Sequence, residues 1–184
     1  MKHARFTSVL AAAAMAATIN GAANAADLEN TLYMDLEYGR VVIELRADLA
    51  PVTVARIKEL ARQKFYDGTP FHRVIPGFMA QGGDPKGTGT GGSGKNLKAE
   101  FSKETHVRGT VSMARAASPD SADSQFFICF ATAPHLDGQY TIWGKVVQGM
   151  ELVDKIKKGS SSNNGSVADP DKIKQLRVAA DVKG

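Results

Sequence analysis

The sequence contains one cysteine, and it has no long apolar run beyond its first 25 residues. A single thiol cannot close an internal disulfide, so packing alone has to hold the fold together. Cys129 lies within the apolar segment FFICF, which favours a small buried side chain over a reactive nucleophile. Because no later stretch reaches the roughly 20 apolar residues that a membrane span needs, we expect a soluble protein without a membrane partner.

An excess of one charge is also missing. The formal net charge is +4 over 184 residues, and acidic and basic residues are interspersed along the chain. Nothing forms the basic stripe typical of nucleic-acid-binding proteins, so no nucleic-acid partner is expected. With 43% hydrophobic and 23% charged residues, the composition is that of an ordinary globular domain large enough to bury its own core.

The first 25 residues differ from the rest of the chain. A basic start is followed by an apolar, alanine-rich run from Phe6 to Ile19 and by the small residues of Ala23-Asn24-Ala25. This pattern predicts a secretory signal peptide over residues 1–25, cleaved at its end, and a single domain over 26–184. The apolar run is shorter than the roughly 20 residues of a membrane anchor, so we expect an exported protein.

Short apolar runs separated by glycine, proline and polar loops dominate the remaining chain. Strands are predicted at residues 31–38, 40–46, 71–74, 78–81, 107–115, 125–130, 140–147 and 173–182. Helices are predicted from Pro51 to Phe65, where apolar residues recur every three or four positions, and from Gly149 to Lys158. This pattern favours an antiparallel β-barrel or a sandwich, and by itself does not separate the two.

Motifs of other function classes are incomplete. The sequence GTGGSGKN at Gly89–Asn96 approaches a phosphate-binding loop, but Asn replaces the magnesium-binding hydroxyl and no helical pattern follows. We interpret it as a mobile surface loop. His72, His106 and His135 lack the spacing of metal ligands, and no metal is expected. No G-x-S-x-G sequence supports a hydrolase, although a Ser-His-Asp triad can also be assembled from distant residues.

Five segments combine apolar and polar residues in a distinctive way. They are FHRVIPGFMAQGGD at 71–84, GTVSMAR at 109–115, SQFFICF at 124–130, HLDGQY at 135–140 and WGKV at 143–146. These segments, and their order along the chain, resemble those of cyclophilins. The resemblance runs from about Thr31 to Val182. It implies a mainly β fold, a closed eight-stranded antiparallel β-barrel capped by two α-helices. It also implies a peptidyl-prolyl cis/trans isomerase that binds X-Pro segments in a surface groove and needs no cofactor.

The resemblance implies roles for individual residues. Arg73 matches the catalytic arginine of the family, and Phe126 matches a residue that points into the core. The pocket for the proline ring is matched by Phe78, Met79, Phe127 and Leu136. The peptide is held by positions that match Gln81, Gln125, Ala114 and Arg115.

Two positions and one loop depart from well-studied eukaryotic members of the family. His135 replaces a tryptophan that contributes to cyclosporin binding, so we expect cyclosporin to bind with reduced affinity. Tyr140 replaces a histidine at the pocket edge, where its ring and hydroxyl should preserve activity. The loop Ala116–Asp123 is one residue longer and resembles bacterial forms, which favours a periplasmic location.

The expected partners are proline-containing peptides and unfolded or folding proteins, bound by a monomer. The leading hypothesis is an enzyme that accelerates X-Pro isomerisation in exported proteins. The alternative is a proline-peptide-binding chaperone module for which turnover is not physiologically needed.

Overall fold

A computed structural model describes residues 25–183 of the chain. Apart from Ala25, the predicted signal peptide lies outside the described residues. Within residues 25–183, no helix combines the length and apolar character needed to cross a membrane.

Eight strands form one antiparallel sheet. They are β1 (Thr31–Leu36), β2 (Gly39–Leu45), β3 (Arg73–Ile75), β4 (Met79–Gly82), β5 (Thr110–Met113), β6 (Phe126–Cys129), β7 (Ile142–Gln148) and β8 (Gln175–Val178). Their order across the sheet is β3-β4-β6-β5-β7-β2-β1-β8. The predicted strands are all present, although most are shorter than their apolar runs because the strands end where the backbone turns into loops.

The sheet is a curled half-barrel, and a closed barrel is not shown. The continuous ladder ends at β3 on one side and at β8 on the other. Between these edges the backbone segments 68–71 and 171–173 are joined by a single bridge, between Pro70 and Lys172, and by three main-chain hydrogen bonds. These run from the Gly68 N–H to the Ile173 oxygen at 2.7 Å, from the Phe71 N–H to the Asp171 oxygen at 2.9 Å and from the Ile173 N–H to the Thr69 oxygen at 2.9 Å. These contacts precede both strands, so β3 and β8 themselves do not pair. The outer edge of β3 is covered instead by the loop at 159–167, whose Gly165 oxygen accepts from the Val74 N–H at 2.7 Å.

The main core lies on one face of the sheet, and Phe126 contacts three other aromatic rings in it. The rings of Tyr66, Phe71 and Trp143 contact Phe126 edge to face, with centroids 5.8, 6.5 and 5.7 Å away respectively. All four side chains are fully buried, and each such side chain contributes about 1.5–3 kcal/mol to stability. The prediction that Phe126 points into the core is therefore confirmed.

Residues 25–183 contain three α-helices where the sequence pattern predicts two, and the two predicted helices are shorter than expected. α1 (Ala25–Glu29), α2 (Pro51–Arg62) and α3 (Met150–Val153) contain five, twelve and four residues. The predicted apolar face of α2 is confirmed, and its buried residues are Thr53, Val54, Ile57, Leu60 and Ala61. α3 ends at Val153 instead of reaching Lys158. Beyond it the chain forms tighter turns, in which an N–H donates to the oxygen three residues earlier, as from Ile156 to Val153.

A carboxylate from a distant loop caps α2. Ala50 precedes the helix and offers no capping side chain. Glu100 takes this role, accepting from the Val52 N–H at 3.0 Å, from the Thr53 N–H at 2.8 Å and from the Thr53 hydroxyl at 2.7 Å. A negative charge at a helix N-terminus also interacts favourably with the helix dipole. This contact ties α2 to the long segment between β4 and β5.

Candidate active site

The strands β3, β4 and β6 bring separate parts of the sequence onto one outer face. The register pairs Arg73 with Gln81, Met79 with Cys129, and Gln81 with Phe127. Because side chains alternate across a strand, these residues share the face that looks away from the main core. Their neighbours Val74, Ala80, Phe126 and Ile128 point into that core. The sheet register thus places Arg73 on the same surface as Met79.

A cavity of about 260 Å³ opens on this face. Its lining contains every residue of the predicted substrate site except Gln125, namely Arg73, Phe78, Met79, Gln81, Ala114, Arg115, Phe127, His135, Leu136 and Tyr140. Gln125 lines a neighbouring cavity of about 410 Å³, which shares Gln81, Ala114 and Arg115 with the first. The two cavities therefore form one continuous groove, and all predicted site residues lie along it.

The floor of the smaller cavity is an apolar cluster separate from the main core. Met79, Phe127, Cys129, Ala133 and Leu136 are buried in it. The partly buried residues packed against them are Ile75, Phe78, Ala114 and Tyr140. This floor suits a small apolar ring, because burying such a ring releases water from both surfaces. Cys129 is fully buried beneath it, and burial raises the pKa of its thiol to about 12, so it is not a nucleophile at neutral pH.

Arg73 lies at the rim of the cavity with its guanidinium in a fixed orientation. Its Nε donates to the Asn164 main-chain oxygen at 3.0 Å and its Nη2 donates to Asn164 Oδ1 at 2.8 Å. Its Nη1 donates to Gln81 Oε1 at 3.1 Å. Partial burial lowers the pKa of Arg73 below its ordinary value, but an arginine stays charged at any working pH. Among residues 25–183 it has no carboxylate partner, so its charge is available to a ligand.

A chain of amide hydrogen bonds runs from Arg73 to the glycine-rich loop. Gln81 Nε2 donates to Gln125 Oε1 at 3.0 Å. Gln125 Nε2 then donates to the main-chain oxygens of Gly89 at 3.0 Å and Gly91 at 2.8 Å. Gln125 thereby fixes which end of the Gln81 amide faces Arg73. Its own amide nitrogen is directed at the loop and away from the smaller cavity.

The glycine-rich loop is held in place by a buried carboxylate, which differs from the mobile loop expected from its composition. Asp84 accepts from the N–H groups of Lys86, Thr88, Gly89 and Gly91 at 2.7–3.1 Å. Burial by itself would raise the pKa of Asp84, but these four donors outweigh it and lower the pKa. A side chain at position 91 would collide with the carboxylate, which explains the glycine there.

The same contacts argue against phosphate binding. Four of the main-chain amides that could bind a phosphate already donate to carboxylates, those of Gly89 and Gly91 to Asp84 and those of Ser93 and Gly94 to Asp123. In the described part of the chain, no helix lies between this loop and β5. Gly89–Asn96 therefore resembles a phosphate-binding loop in sequence but not in structure.

Sequence reasoning missed Asn164. Its two contacts with Arg73 join positions that are 91 residues apart in the chain. Asn164 has a left-handed backbone, with a φ of 55°, and Asn tolerates this conformation better than most residues. The only signal in the sequence is the Asn-Gly pair at 164–165 within a polar loop. That pair predicts a turn, but it does not predict that the turn contacts Arg73.

The fold and the groove define a mainly β protein with the architecture of solved cyclophilins. A cyclophilin type peptidyl-prolyl cis-trans isomerase of Cryptosporidium parvum, solved in the presence of the dipeptide Ala-Pro, superposes with a TM-score of 0.73 at 31% identity, covering 80% of this chain and 98% of that one. The cyclophilin AquaCyp293 of Hirschia baltica superposes with a TM-score of 0.76 at 27% identity, covering 85% of this chain and 76% of that one.

Sequence comparison leads to the same family. The family model described as "Cyclophilin type peptidyl-prolyl cis-trans isomerase/CLD" matches residues 31–178. A "Probable peptidyl-prolyl cis-trans isomerase" of Brucella suis is 56% identical over 191 aligned positions, which cover 96% of this chain and 97% of the relative. "Peptidyl-prolyl cis-trans isomerase B" of Bacillus subtilis is 48% identical over 132 positions, covering 70% and 92%. The chain belongs to the cyclophilin-type isomerase family, and it is a peptidyl-prolyl cis-trans isomerase.

Proposed function

We propose that Arg73 is the catalytic group of this isomerase and that the 260 Å³ cavity binds the proline ring of the substrate. The observation that carries this proposal is a charged guanidinium, without a carboxylate partner among the described residues, at the rim of an apolar cavity. Phe78, Met79, Phe127 and Leu136 would contact the ring. The Ala-Pro dipeptide present with the Cryptosporidium parvum relative supports a proline peptide as ligand.

The chemistry makes and breaks no covalent bond. An X-Pro peptide bond resists rotation because the nitrogen lone pair is shared with the carbonyl, which gives a barrier of about 18–20 kcal/mol. In the twisted transition state this sharing is lost, and the nitrogen lone pair becomes a hydrogen-bond acceptor. A guanidinium N–H held beside that nitrogen stabilises the twisted state and leaves the planar ground state unaffected, which is the condition for catalysis. Arg73 suits this role because its donor geometry is rigid.

One donor does not account for the full rate. A preorganised hydrogen-bond donor is worth roughly 3–4 kcal/mol in the transition state. An acceleration of about 10⁵-fold needs about 7 kcal/mol. The remainder has to come from anchoring the proline ring and the flanking backbone, so that the bound peptide rotates only on one side of its X-Pro bond.

We propose that Gln81 and the segment Ala114–Arg115 hold the substrate backbone. The Ala114 N–H donates to the Gln125 oxygen at 2.9 Å, while the Ala114 carbonyl has no hydrogen-bond partner among residues 25–183. An extended peptide would pair with that carbonyl as an added strand does. The Arg115 guanidinium lies 4.7 Å from the centre of the Tyr140 ring and Arg115 Nε donates to the Gln139 oxygen, so its side chain forms the rim of the groove.

We also propose that the enzyme acts on exported proteins in the periplasm. The support is the N-terminal sequence, with its basic start, its apolar run and its terminal Ala-Asn-Ala. Cell fractionation followed by N-terminal sequencing tests this. A protein recovered from the periplasm and beginning at Ala26 is expected, and an unprocessed protein in the cytoplasm would overturn the proposal.

A refolding assay limited by proline isomerisation tests the proposed mechanism. Uncatalysed isomerisation takes about 10–100 s, so acceleration by the enzyme is easily measured. We expect Arg73→Ala to lose most of the acceleration while it still binds X-Pro peptides. Undiminished catalysis by this variant would remove Arg73 from the mechanism. Peptide binding by the parent without any catalysis would instead favour the chaperone-module alternative.

A further inference from the structure

A fully buried histidine lies directly behind the apolar cavity. His106 precedes β5 and has no exposed surface. Its ring is nearly parallel to that of Phe127, with centroids 6.1 Å apart and planes inclined by 20°. Its edge meets the Tyr140 ring at 6.5 Å. Phe127 and Tyr140 both line the cavity. The position of the His106 imidazole therefore restricts the positions of these two rings.

His106 is bonded at both ring nitrogens. Nδ1 lies 2.9 Å from Asp137 Oδ1, and Nε2 lies 3.1 Å from the Ser112 hydroxyl oxygen. The Ser112 hydroxyl is also 2.8 Å from the Thr141 main-chain oxygen. These are the residue types of a hydrolytic triad. Ser112 is fully buried, however, so its hydroxyl cannot reach a substrate and the arrangement is not a nucleophilic site.

The position of the proton on the His106 ring can be assigned from the hydrogen-bond partners of the ring. A carboxylate only accepts, so Nδ1 carries a proton. Burial lowers the pKa of His106 although Asp137 opposes this, so the ring is neutral at neutral pH. The Ser112 hydroxyl donates to the Thr141 main-chain oxygen at 2.8 Å, and the same oxygen accepts from the Met113 N–H at 2.9 Å. The Nδ1–H bond to Asp137 and the contact of Nε2 with the Ser112 hydroxyl oxygen hold the ring in one orientation.

The main chain of His106 holds the turn that carries Leu136. The His106 N–H donates to Asp137 Oδ1 at 2.7 Å, and the His106 oxygen accepts from the Ala133 N–H at 2.8 Å. Both ends of the turn are therefore attached to one residue. Asp137 Oδ1 is the common acceptor, since it receives the main-chain N–H and the ring Nδ1–H of His106.

We propose that Asp137 and His106 are positioning residues that set the shape of the cavity, acting through Phe127 on one side and through the turn with Leu136 on the other. Neither residue lines the cavity. The inference rests on the proposed binding of the proline ring in this cavity. We infer from this that normal substrate affinity needs a side-chain oxygen at position 137 that accepts hydrogen bonds from His106.

The pair Asp137→Ala and Asp137→Asn tests this inference. Asn keeps an oxygen that accepts both His106 protons, whereas Ala removes the acceptor. For Asp137→Ala we expect kcat/KM with an X-Pro peptide to fall about tenfold, mostly through a higher KM, as expected for a lost buried hydrogen bond. Asp137→Asn should stay within about twofold of the parent. Nitrogen NMR of the His106 ring should show the Nδ1–H form in the parent and in Asp137→Asn, and its loss in Asp137→Ala.

Either of two results would overturn the inference. One is an unchanged KM in Asp137→Ala although the His106 resonance has moved. The other is an Asp137→Asn variant as deficient as Asp137→Ala. If Asp137→Ala does not fold, His106→Asn answers the same question, because it keeps a donor to Asp137 but removes the ring behind Phe127. It should raise KM, and a KM equal to that of the parent would contradict the role of the ring.

A titration of the parent separates this inference from the proposed function. Addition of an X-Pro peptide should shift the resonances of Phe127 and Leu136. If these resonances do not move while the peptide is still isomerised, the proposed cavity assignment fails whatever the Asp137 variants do. If they move and Asp137→Ala behaves as the parent, only the positioning role fails.

Discussion

Asn164 holds the guanidinium of Arg73 through two hydrogen bonds, one to its main-chain oxygen at 3.0 Å and one to its side-chain Oδ1 at 2.8 Å. With the third bond to Gln81, the planar group cannot rotate about its own axis. A donor that is already aligned needs no reorganisation when the transition state forms. The loop at 159–167, which also covers the outer edge of β3, therefore contributes to the proposed active site as well as to the sheet.

Removing the Asn164 side chain should reduce catalysis. Asn164→Gly keeps the left-handed backbone and the main-chain oxygen, so it isolates the side-chain bond. We expect kcat to fall about fivefold, corresponding to about 1 kcal/mol for one hydrogen bond, with a smaller change in KM. Asn164→Ala also strains the backbone and should be less stable. Steady-state kinetics and thermal unfolding check both, and a kcat equal to that of the parent in Asn164→Gly would contradict this role.

Arg73→Lys should be nearly as inactive as Arg73→Ala. Lysine keeps the charge but has a single ammonium, which cannot bond Asn164 and Gln81 together and still present a planar donor to the substrate. We expect kcat/KM to fall about 100-fold or more, while peptide binding changes little. Activity close to that of the parent would mean that charge alone suffices and that the orientation of the guanidinium is unimportant.

Asp84→Ala should loosen the glycine-rich loop. Four main-chain N–H groups lose a charged acceptor, and we expect the free energy of unfolding to fall by about 2–4 kcal/mol. Because Gln125 is bonded to this loop, kcat/KM should fall too. Asp48→Ala is the matched control, since Asp48 is exposed and its loss should cost less than about 0.5 kcal/mol. Denaturant unfolding measures both variants. An equal loss of unfolding free energy in Asp84→Ala and Asp48→Ala would contradict the ordering role of Asp84.

Stability should fall as the pH drops below about 6.5, the ordinary pKa of histidine. Burial lowers the pKa of His72 and of His106, so in this range the unfolded chain binds more protons than the folded one. Stability is then fully present above about pH 6.5 and is lost as the pH falls through the lowered values. Urea unfolding between pH 8 and pH 5 measures the slope. His72→Gln should make it shallower, whereas an unchanged slope would exclude His72 as a contributor.

His135→Trp should raise the affinity for cyclosporin. His135 lies at the rim of the cavity and contacts Phe78, with ring centroids 5.2 Å apart. A larger ring there would extend the apolar wall by an indole, which also offers an N–H donor. We expect inhibition of isomerase activity at about tenfold lower cyclosporin concentration, with kcat/KM for a short peptide changed by less than about threefold. Inhibition at the same concentration as for the parent would contradict the expected role of this position.

Much of the fold follows from local patterns in the sequence. The apolar residues Val54, Ile57, Leu60 and Ala61 recur with the helical period, and they form the buried face of α2. Phe126 and Phe127 are adjacent on a strand, so one had to face the core and the other the opposite side. The residues of the groove could be predicted because the motifs around Arg73, Phe127 and Leu136 resemble a known family.

The tertiary structure decided what depends on contacts between distant segments. The ladder stays open between β3 and β8, because the backbone that approaches across this gap belongs to the segments before the two strands. Asp84 orders a loop whose composition predicts mobility, because a buried carboxylate needs donors and the loop amides supply them.

The sequence by itself determined the strands, the main helix and the identity of the residues along the groove, because these depend on side-chain periodicity and on motifs. It did not determine the orientation of Arg73, which depends on Asn164 in a distant loop, nor the support behind Phe127, which depends on His106 and Asp137. Hydrogen bonds between segments far apart in the chain leave no periodic signal, since each partner alone is an ordinary polar residue. Only the register of the folded sheet brings the partners together.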